Sequence, residues 1–256
     1  MSVCGEDPED PLSSNDHRTS ASVGSVELVL VAPGGSLVVN DMPFDVDPFY
    51  IAKHETTHGQ YDEFLRADDG FDNPAWWSDL PAESSPPERP FDRPRTGPLL
   101  SAPREDVLWY QAVAYTRWLN VRMRAKNADT SEGGILVDGE PWELRLPTEW
   151  EWQWAAQGGS EKREYPWGSW QDGRANTGKV LRSTVTVGLY PQGAAASGAQ
   201  GMSGNVWEWC LSTPDSPDSI ASFATSEYRP LRGGSFSRSR EYAAVSARHA
   251  SHPRHG

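Results

Sequence analysis

The stretch Gly201-Met202-Ser203-Gly204-Asn205-Val206-Trp207-Glu208-Trp209 sets a carboxylate between two indoles on a glycine-punctuated turn, and Arg232-Gly233-Gly234-Ser235-Phe236 follows it. Glycines there let backbone approach backbone while the indoles supply buried area. A carboxylate on such a turn either holds a hard cation or accepts buried N–H groups. His249, His252 and His255 recur every third residue. A helix is needed to align three such imidazoles on a metal, and Pro253 argues against one, so they read as exposed residues. Ser203 lacks the second spaced glycine of a nucleophile elbow, and Ser235 has no strand-turn-helix context, so neither reads as a nucleophile. Glu149 and Glu151 sit on a first helical turn, where the helix dipole accounts for them.

Cys4 and Cys210 are the only cysteines, and Cys4 lies in polar chain. No disulfide framework is expected, and a reducing, cytoplasmic compartment fits. A formal charge of −13 over 256 residues disfavours nucleic acid and anionic lipid as partners. No apolar run reaches membrane-spanning length, and the N-terminus lacks the basic flank and apolar stretch of a signal peptide.

These residues need a frame. With 12 Trp, 23 Gly and 21 Pro, an aromatic core held by loops is expected in one domain. Residues 1–24 are polar and read as a disordered tail, with the domain running over 25–256. Val26, Leu28 and Leu30 alternate before Pro33-Gly34-Gly35, and with Leu37, Val38 and Val39 they read as a hairpin. Phe44, Val46, Phe49, Tyr50 and Ile51 suggest a further strand. Capping-box spacing at Thr57/Gln60 predicts a helix over 57–67, and the same spacing at Thr148/Glu151 predicts one that Gly158-Gly159 ends. Arg104 to Lys126 is the clearest helical stretch, and Thr184 to Val187 reads as a strand. Prolines recur from Phe71 to Pro103, a long loop in which Trp76-Trp77 sits like an anchor.

Several motifs in order resemble the formylglycine-generating enzyme (sulfatase-modifying factor) family. They are Val29 to Ser36, Phe49-Tyr50-Ile51-Ala52-Lys53-His54-Glu55-Thr56-Thr57, Trp109 to Tyr115, Arg145 to Trp154, Gly204 to Trp209 and Arg232 to Phe236. The resemblance implies an α+β domain related to C-type lectins, with a twisted antiparallel sheet, two or three helices and little other regular structure. It also implies copper(I) held by two cysteines after the Gly-Gly-Ser-aromatic motif. Ser237 to Arg248 contains no cysteine, so copper is not expected, and formylglycine-generating activity is not expected with it. Calcium is the family's other ion, which the resemblance assigns to Glu208 and the carbonyls of Gly204 and Val206. Gly201 stands where the family carries Asn or Asp, so weak calcium binding is expected. Asn176 matches one ligand of a second calcium site. His54 and His58 could share an ion, but His58 stands where the family often has Asn, and a hydrogen-bonding role is preferred. The family continues into a last strand containing Gly-Phe-Arg, which the resemblance expects after this segment.

The C-terminal stretch is dense in Ser, Arg, His and Tyr, with almost no aliphatic bulk, so it reads as surface. It resembles the ligand-binding face of variable proteins of diversity-generating retroelements. The face is assigned to Ser237, Arg238, Ser239, Arg240, Tyr242, Arg248, His249, Ser251 and His252, together with Trp76 and Trp77. Two functions follow. One is a non-catalytic domain binding a protein or small ligand. The other is an oxidoreductase with a non-cysteine metal site, using histidines from Val245 to His255 or from a partner domain; in sulfoxide synthases, similar domains accompany a separate histidine-bearing iron domain.

Overall fold

The strand β2 (Val26–Val31) organises the molecule because both of its faces are apolar. Val26 and Leu28 enter one core, while Val29 and Val31 enter another, the period-two alternation of an extended chain. In the computed structural model the described residues are 20–23, 25–81, 100–128, 136–137, 140–141, 143–220, 222–223 and 227–255. β1 (Ser20–Val23) and β5 (Phe49–Ala52) flank β2 antiparallel, giving the order β1-β2-β5. β1 thus takes four residues of the segment expected to be a tail; residues 1–19, with Cys4, lie outside those described.

The predicted hairpin is corrected by this pairing. β2 pairs with β1 and β5, whereas β3 (Gly35–Val39) pairs with β4 (Met42–Val46). The two-residue turn Asn40-Asp41 makes the difference, with φ of 51° and 63°. Positive φ at both positions matches the twist of a tight hairpin, and Asn and Asp tolerate it better than other side chains. Apolar residues expected to form one strand divide between β4 and β5. Pro48 lies between them and cannot donate to a ladder.

Two capping boxes fix the short helices. Thr57 Oγ1 accepts from the Gln60 N–H at 3.2 Å and Gln60 Oε1 accepts from the Thr57 N–H at 2.9 Å, starting α1 (His58–Arg66). Thr148 and Glu151 do the same for α3 (Glu149–Gln157), which ends on left-handed Gly158 at φ 74°. The helix between them, α2 (Trp109–Ala128), begins five residues later than the periodicity suggested. The Arg104 N–H bonds the Thr56 carbonyl at 2.8 Å, and Asp106 takes φ 55°, so this stretch bridges to the start of α1 instead. Leu136–Val137 (β6) and Glu140–Pro141 (β7) form a small hairpin. β8 (Glu208–Trp209), β9 (Arg229–Arg232) and β10 (His249–Ser251) form a second antiparallel sheet in the order β10-β9-β8. Thr184 to Val187 is loop, not strand. Its backbone bonds go to the Asn205 side chain and the Ser101 carbonyl.

The first core gathers Tyr61 and Phe64 of α1, Phe71, Trp77, and Trp109, Tyr115 and Trp118 of α2. Their rings meet tilted or edge-on, as Phe64–Trp118 at 5.4 Å and Phe71–Trp77 at 5.0 Å. The second core packs Leu37 and Val46 against Trp150, Trp152 and Trp154 of α3, with Cys210 fully buried among them. Between the two lies a cavity of about 560 Å³.

Candidate functional site

Glu55 follows β5 by three residues, and Glu208 opens β8. Both line the cavity, and both are half-buried. The Glu208 carboxylate accepts from the Trp152 indole N–H at 2.9 Å on Oε2. Glu55 Oε1 accepts from the Asn205 amide at 2.9 Å. Asn205 is held by its own turn: it has φ 62°, and its Oδ1 accepts from the Val185 N–H at 2.9 Å. Burial pushes the Glu55 carboxyl up, opposed by the Asn205 amide. Burial first, and then the charge of Glu55, push Glu208 up to about 8. Neither carboxylate has a cationic side chain bonded to it among the described residues.

Gly201 makes room for the Glu55 carboxylate. A Cβ there would lie 2.2 Å from Glu55 Oε2, and the residue has φ 83°. Only glycine leaves that space open. The Glu55 carboxylate occupies the space that a side chain at 201 would take, and Glu55 lies inside a quoted motif to which the sequence assigned no role. Its signal was position: a carboxylate between an apolar strand and a capped helix start must be buried or bonded. Of the calcium set Gly204, Val206 and Glu208, Glu208 brings its side chain to this corner. The donor type, paired carboxylates, fits a hard cation. Asn176 is buried nearby, its Nδ2 donating to the Ser183 carbonyl at 2.9 Å.

Glu149 occupies a different environment. Its side chain is fully buried; Oε1 accepts from Arg232 Nη1 at 2.8 Å and from Arg248 Nε at 2.7 Å, and Oε2 from Arg248 Nη2 at 2.7 Å. Arg232 also donates to Gln153 Oε1 at 2.7 Å and to the Val245 carbonyl. The helix dipole is therefore not the main reason for Glu149; it clamps α3 to β9 and to the C-terminal segment. Arg248, expected on the ligand-binding face, takes part in this clamp, with its guanidinium 5.1 Å from the centre of the Trp150 ring and a further bond to the Pro214 carbonyl.

Trp77 is corrected as well. It is 2 % exposed, and its indole N–H donates to the Phe71 carbonyl at 2.9 Å, so it is core. Trp76 is half-buried against the same core and donates to the Asp69 carbonyl at 2.6 Å. Residues 82–99 of the proline-rich loop lie outside those described.

The C-terminal segment is not surface throughout, since Ala243 and Val245 are buried. Its exposed part nevertheless collects several assigned residues. Trp207 stacks on His249 at 5.2 Å and meets Tyr242 edge-on at 6.4 Å, while the Arg238 guanidinium lies 5.5 Å from the Tyr242 ring centre. Ser237 shares a 3.1 Å hydrogen bond with Ser235. Ser239 precedes a short 3-10 turn, and Arg240 pairs with Glu241 at 3.3 Å. Ser251 lies in β10 opposite Arg229, and His252 meets Tyr228 edge-on at 6.1 Å. The Gly178 and Lys179 N–H groups bond the Arg238 and Phe236 carbonyls at 2.7 Å each, and that loop exposes Val180 and Leu181. His249 stacks on Trp207, while the His252 and His255 rings lie 5.5 Å apart. Among the described residues no group of three His, Cys, Asp or Glu is placed to hold a metal ion. His58 Nδ1 lies 3.1 Å from Arg104 Nη1, a hydrogen-bonding position as expected.

The family model of the sulfatase-modifying factor enzyme 1-like domain matches residues 15–256. The chain belongs to that family. Hercynine oxygenase of Mycobacterium tuberculosis is 31% identical over 238 residues, covering 82% of this chain and 50% of that protein. The chain spans about half the length of the hercynine oxygenases it matches. Among solved structures, Treponema denticola variable protein 1 aligns with a TM-score of 0.59 at 24% identity over 91% of this chain and 93% of that one. PvdO from Pseudomonas aeruginosa aligns with a TM-score of 0.61 at 20% identity over 91% and 94%. The architecture is accordingly the family's α+β fold, with few helices and small antiparallel sheets.

Copper, which the family resemblance implied, does not fit the residues present. Ser237 to Arg248 supplies no thiolate, and Cys210 is fully buried with its thiol pushed well up by desolvation. No helix among the described residues is long and apolar enough to cross a membrane.

Proposed function

We propose that this domain binds a protein or small ligand without transforming it, through the exposed face built by Trp207, Arg238, Tyr242 and His249. The observation that carries the reading is that this face offers stacked rings, a forked cation and the exposed pair Val180 and Leu181, while the stretch that would hold copper is free of sulfur. Rigid aromatics beside adaptable polar groups are the usual equipment of recognition surfaces. The structural similarity to a variable protein agrees with a role in recognition. Acidity argues against nucleic acid and anionic lipid as partners, and the scarcity of cysteine favours a cytoplasmic setting.

Binders selected from a random-peptide display library test this. Wild-type protein enriches binders, and Arg238→Ala with Tyr242→Ala loses them while folding normally; equal enrichment by the variant removes the face from the account. With copper(I) and a cysteine-containing sulfatase peptide the purified protein forms no aldehyde. Stoichiometric copper with turnover would overturn the reading.

The hercynine oxygenase relatives favour a second reading, an oxidoreductase whose metal comes from outside the cysteine positions. Oxygen consumption that depends on both hercynine and added metal would establish it. The face variant would then bind normally and the binding reading would fall.

A further inference from the structure

Acidic residues are spread unevenly along the chain. Of its 36 Asp and Glu, none falls in residues 173–207 and only Glu241 falls in residues 235–256, although the same two stretches include Arg174, Lys179, Arg182, Arg238 and Arg240. In a protein of net charge −13 they are a cationic exception.

The fold brings these two stretches together. The Gly178 and Lys179 N–H groups bond the Arg238 and Phe236 carbonyls, the Phe236 N–H bonds the Asn205 carbonyl at 2.9 Å, and the Gly204 N–H bonds the Gly233 carbonyl at 2.7 Å. Glu149 takes up Arg248, and Glu241 takes up Arg240. Lys179 and Arg238 are exposed and have no carboxylate partner among the described residues. Glu208 follows Trp207 in the chain, but its carboxylate is bonded to the Trp152 indole.

Apolar groups stand beside the two free cations. Val180, 80 % exposed, and Leu181 follow Lys179 directly, while Arg238 lies over the Tyr242 ring, which meets Trp207 and so adjoins His249. Exposed rings and aliphatic groups edged by charge are the make-up of an interaction site. The charge says what kind of partner suits it.

Building on the reading of this face as a recognition surface, we propose that its partner is an acidic segment of another protein. That segment carries an aromatic or aliphatic anchor for the exposed rings and for Val180 and Leu181, with Asp or Glu beside the anchor for Lys179 and Arg238. Carboxylates gain charge-assisted hydrogen bonds from a guanidinium fork and an ammonium group. A long polyanion such as nucleic acid suits the face less. Screening confines the attraction to about 8 Å around the patch, and a longer chain runs on past it toward the acidic remainder of the surface.

A random dodecamer display library, selected in parallel on the whole wild-type chain and on the Arg238→Ala, Tyr242→Ala double variant, supplies the test. Binders enriched by wild type alone are expected to carry Asp or Glu next to an aromatic or aliphatic residue. The most enriched sequence is then synthesised and measured by calorimetry. Raising sodium chloride from about 0.05 to about 0.5 M should weaken it by roughly tenfold. Lys179→Glu and Arg238→Glu should each weaken it about fivefold or more, whereas Arg66→Glu, the same change of charge at an exposed position on α1, leaves it within about twofold. Failure of the two ideas looks different. Binders that need the face but show no excess of Asp or Glu overturn the acidic partner and leave the recognition surface standing; absence of any binder that needs the face removes both. Equal losses for Arg66→Glu and Arg238→Glu would mean that net charge, not this patch, attracts the peptide. A short oligo-dT that competes as well as the peptide would also overturn the proposal, by making the face a site for polyanions.

Discussion

Glu149 and Glu208 lie in neighbouring parts of the second core, one on α3 and one on β8, and their surroundings are opposite. Glu149 is bonded by two guanidinium groups, one of them fully buried, and a Ser212 hydroxyl accepts from its backbone N–H at 2.8 Å. Glu208 has one indole N–H and a second carboxylate, and it borders a cavity. Buried charge that is fully bonded specifies a packing arrangement; buried charge that is left short of cations beside open volume marks a place for a ligand. The family fold supplies both, and the two behave differently under substitution.

The largest expected effect is at the Glu149 junction. Glu149→Ala leaves Arg232 fully buried without its carboxylate and should cost about 3–5 kcal/mol in chemical denaturation. A loss below about 1 kcal/mol would break the comparison, because the junction would then not hold the C-terminal segment. Next comes Gly201→Ala, whose methyl group would collide with Glu55 at a positive φ. It should cost about 2 kcal/mol and displace the Glu55 carboxylate.

A pH series sharpens the contrast further. Because Glu208 is raised from 4.5 to about 8 in the folded protein, the native state keeps a proton there that the unfolded chain releases. That contribution is fully present below pH 4.5 and is lost as pH rises through about 8. Glu208→Gln removes the loss, so the variant should exceed wild type by several kcal/mol near pH 9 and match it under acidic conditions. The smallest effect is expected at the outer face. Arg238→Ala and Tyr242→Ala should stay within about 0.5 kcal/mol of wild type, since both side chains are exposed and neither supports a core.

Much of the frame was legible because local chemistry and packing agree. Both capping boxes, the Gly158 stop and the alternation of β2 could be read from residue types alone. Pairing was less legible. Pro33-Gly34-Gly35 looked like the hairpin turn, but the tighter Asn40-Asp41 turn took that role, and the partner of a doubly apolar strand is decided by tertiary packing. The start of α2 was missed because an apolar period does not report that the preceding backbone bonds elsewhere. At the site, Arg238, Tyr242 and His249 were placed on one face by composition, and the structure brings them together around Trp207. Trp77 was misread and the Glu149 bond of Arg248 was not foreseen, since an arginine or a tryptophan carries no sign in sequence of whether its partner is a ligand or the protein's own interior. Glu55 escaped for the converse reason. Its importance comes from the proximity of Gly201 and Glu208, about 150 residues further along the chain.

The contrast between the two corners rests on the state of one carboxyl group. A carbon-13 NMR titration of the protein labelled in its glutamate carboxyls, with Glu208→Gln for assignment, reads that state directly. The account predicts that the Glu208 carboxyl titrates near 8 in the free protein. A Glu208 signal that titrates near the ordinary 4.5 would mean that the corner already has the cation it was argued to lack.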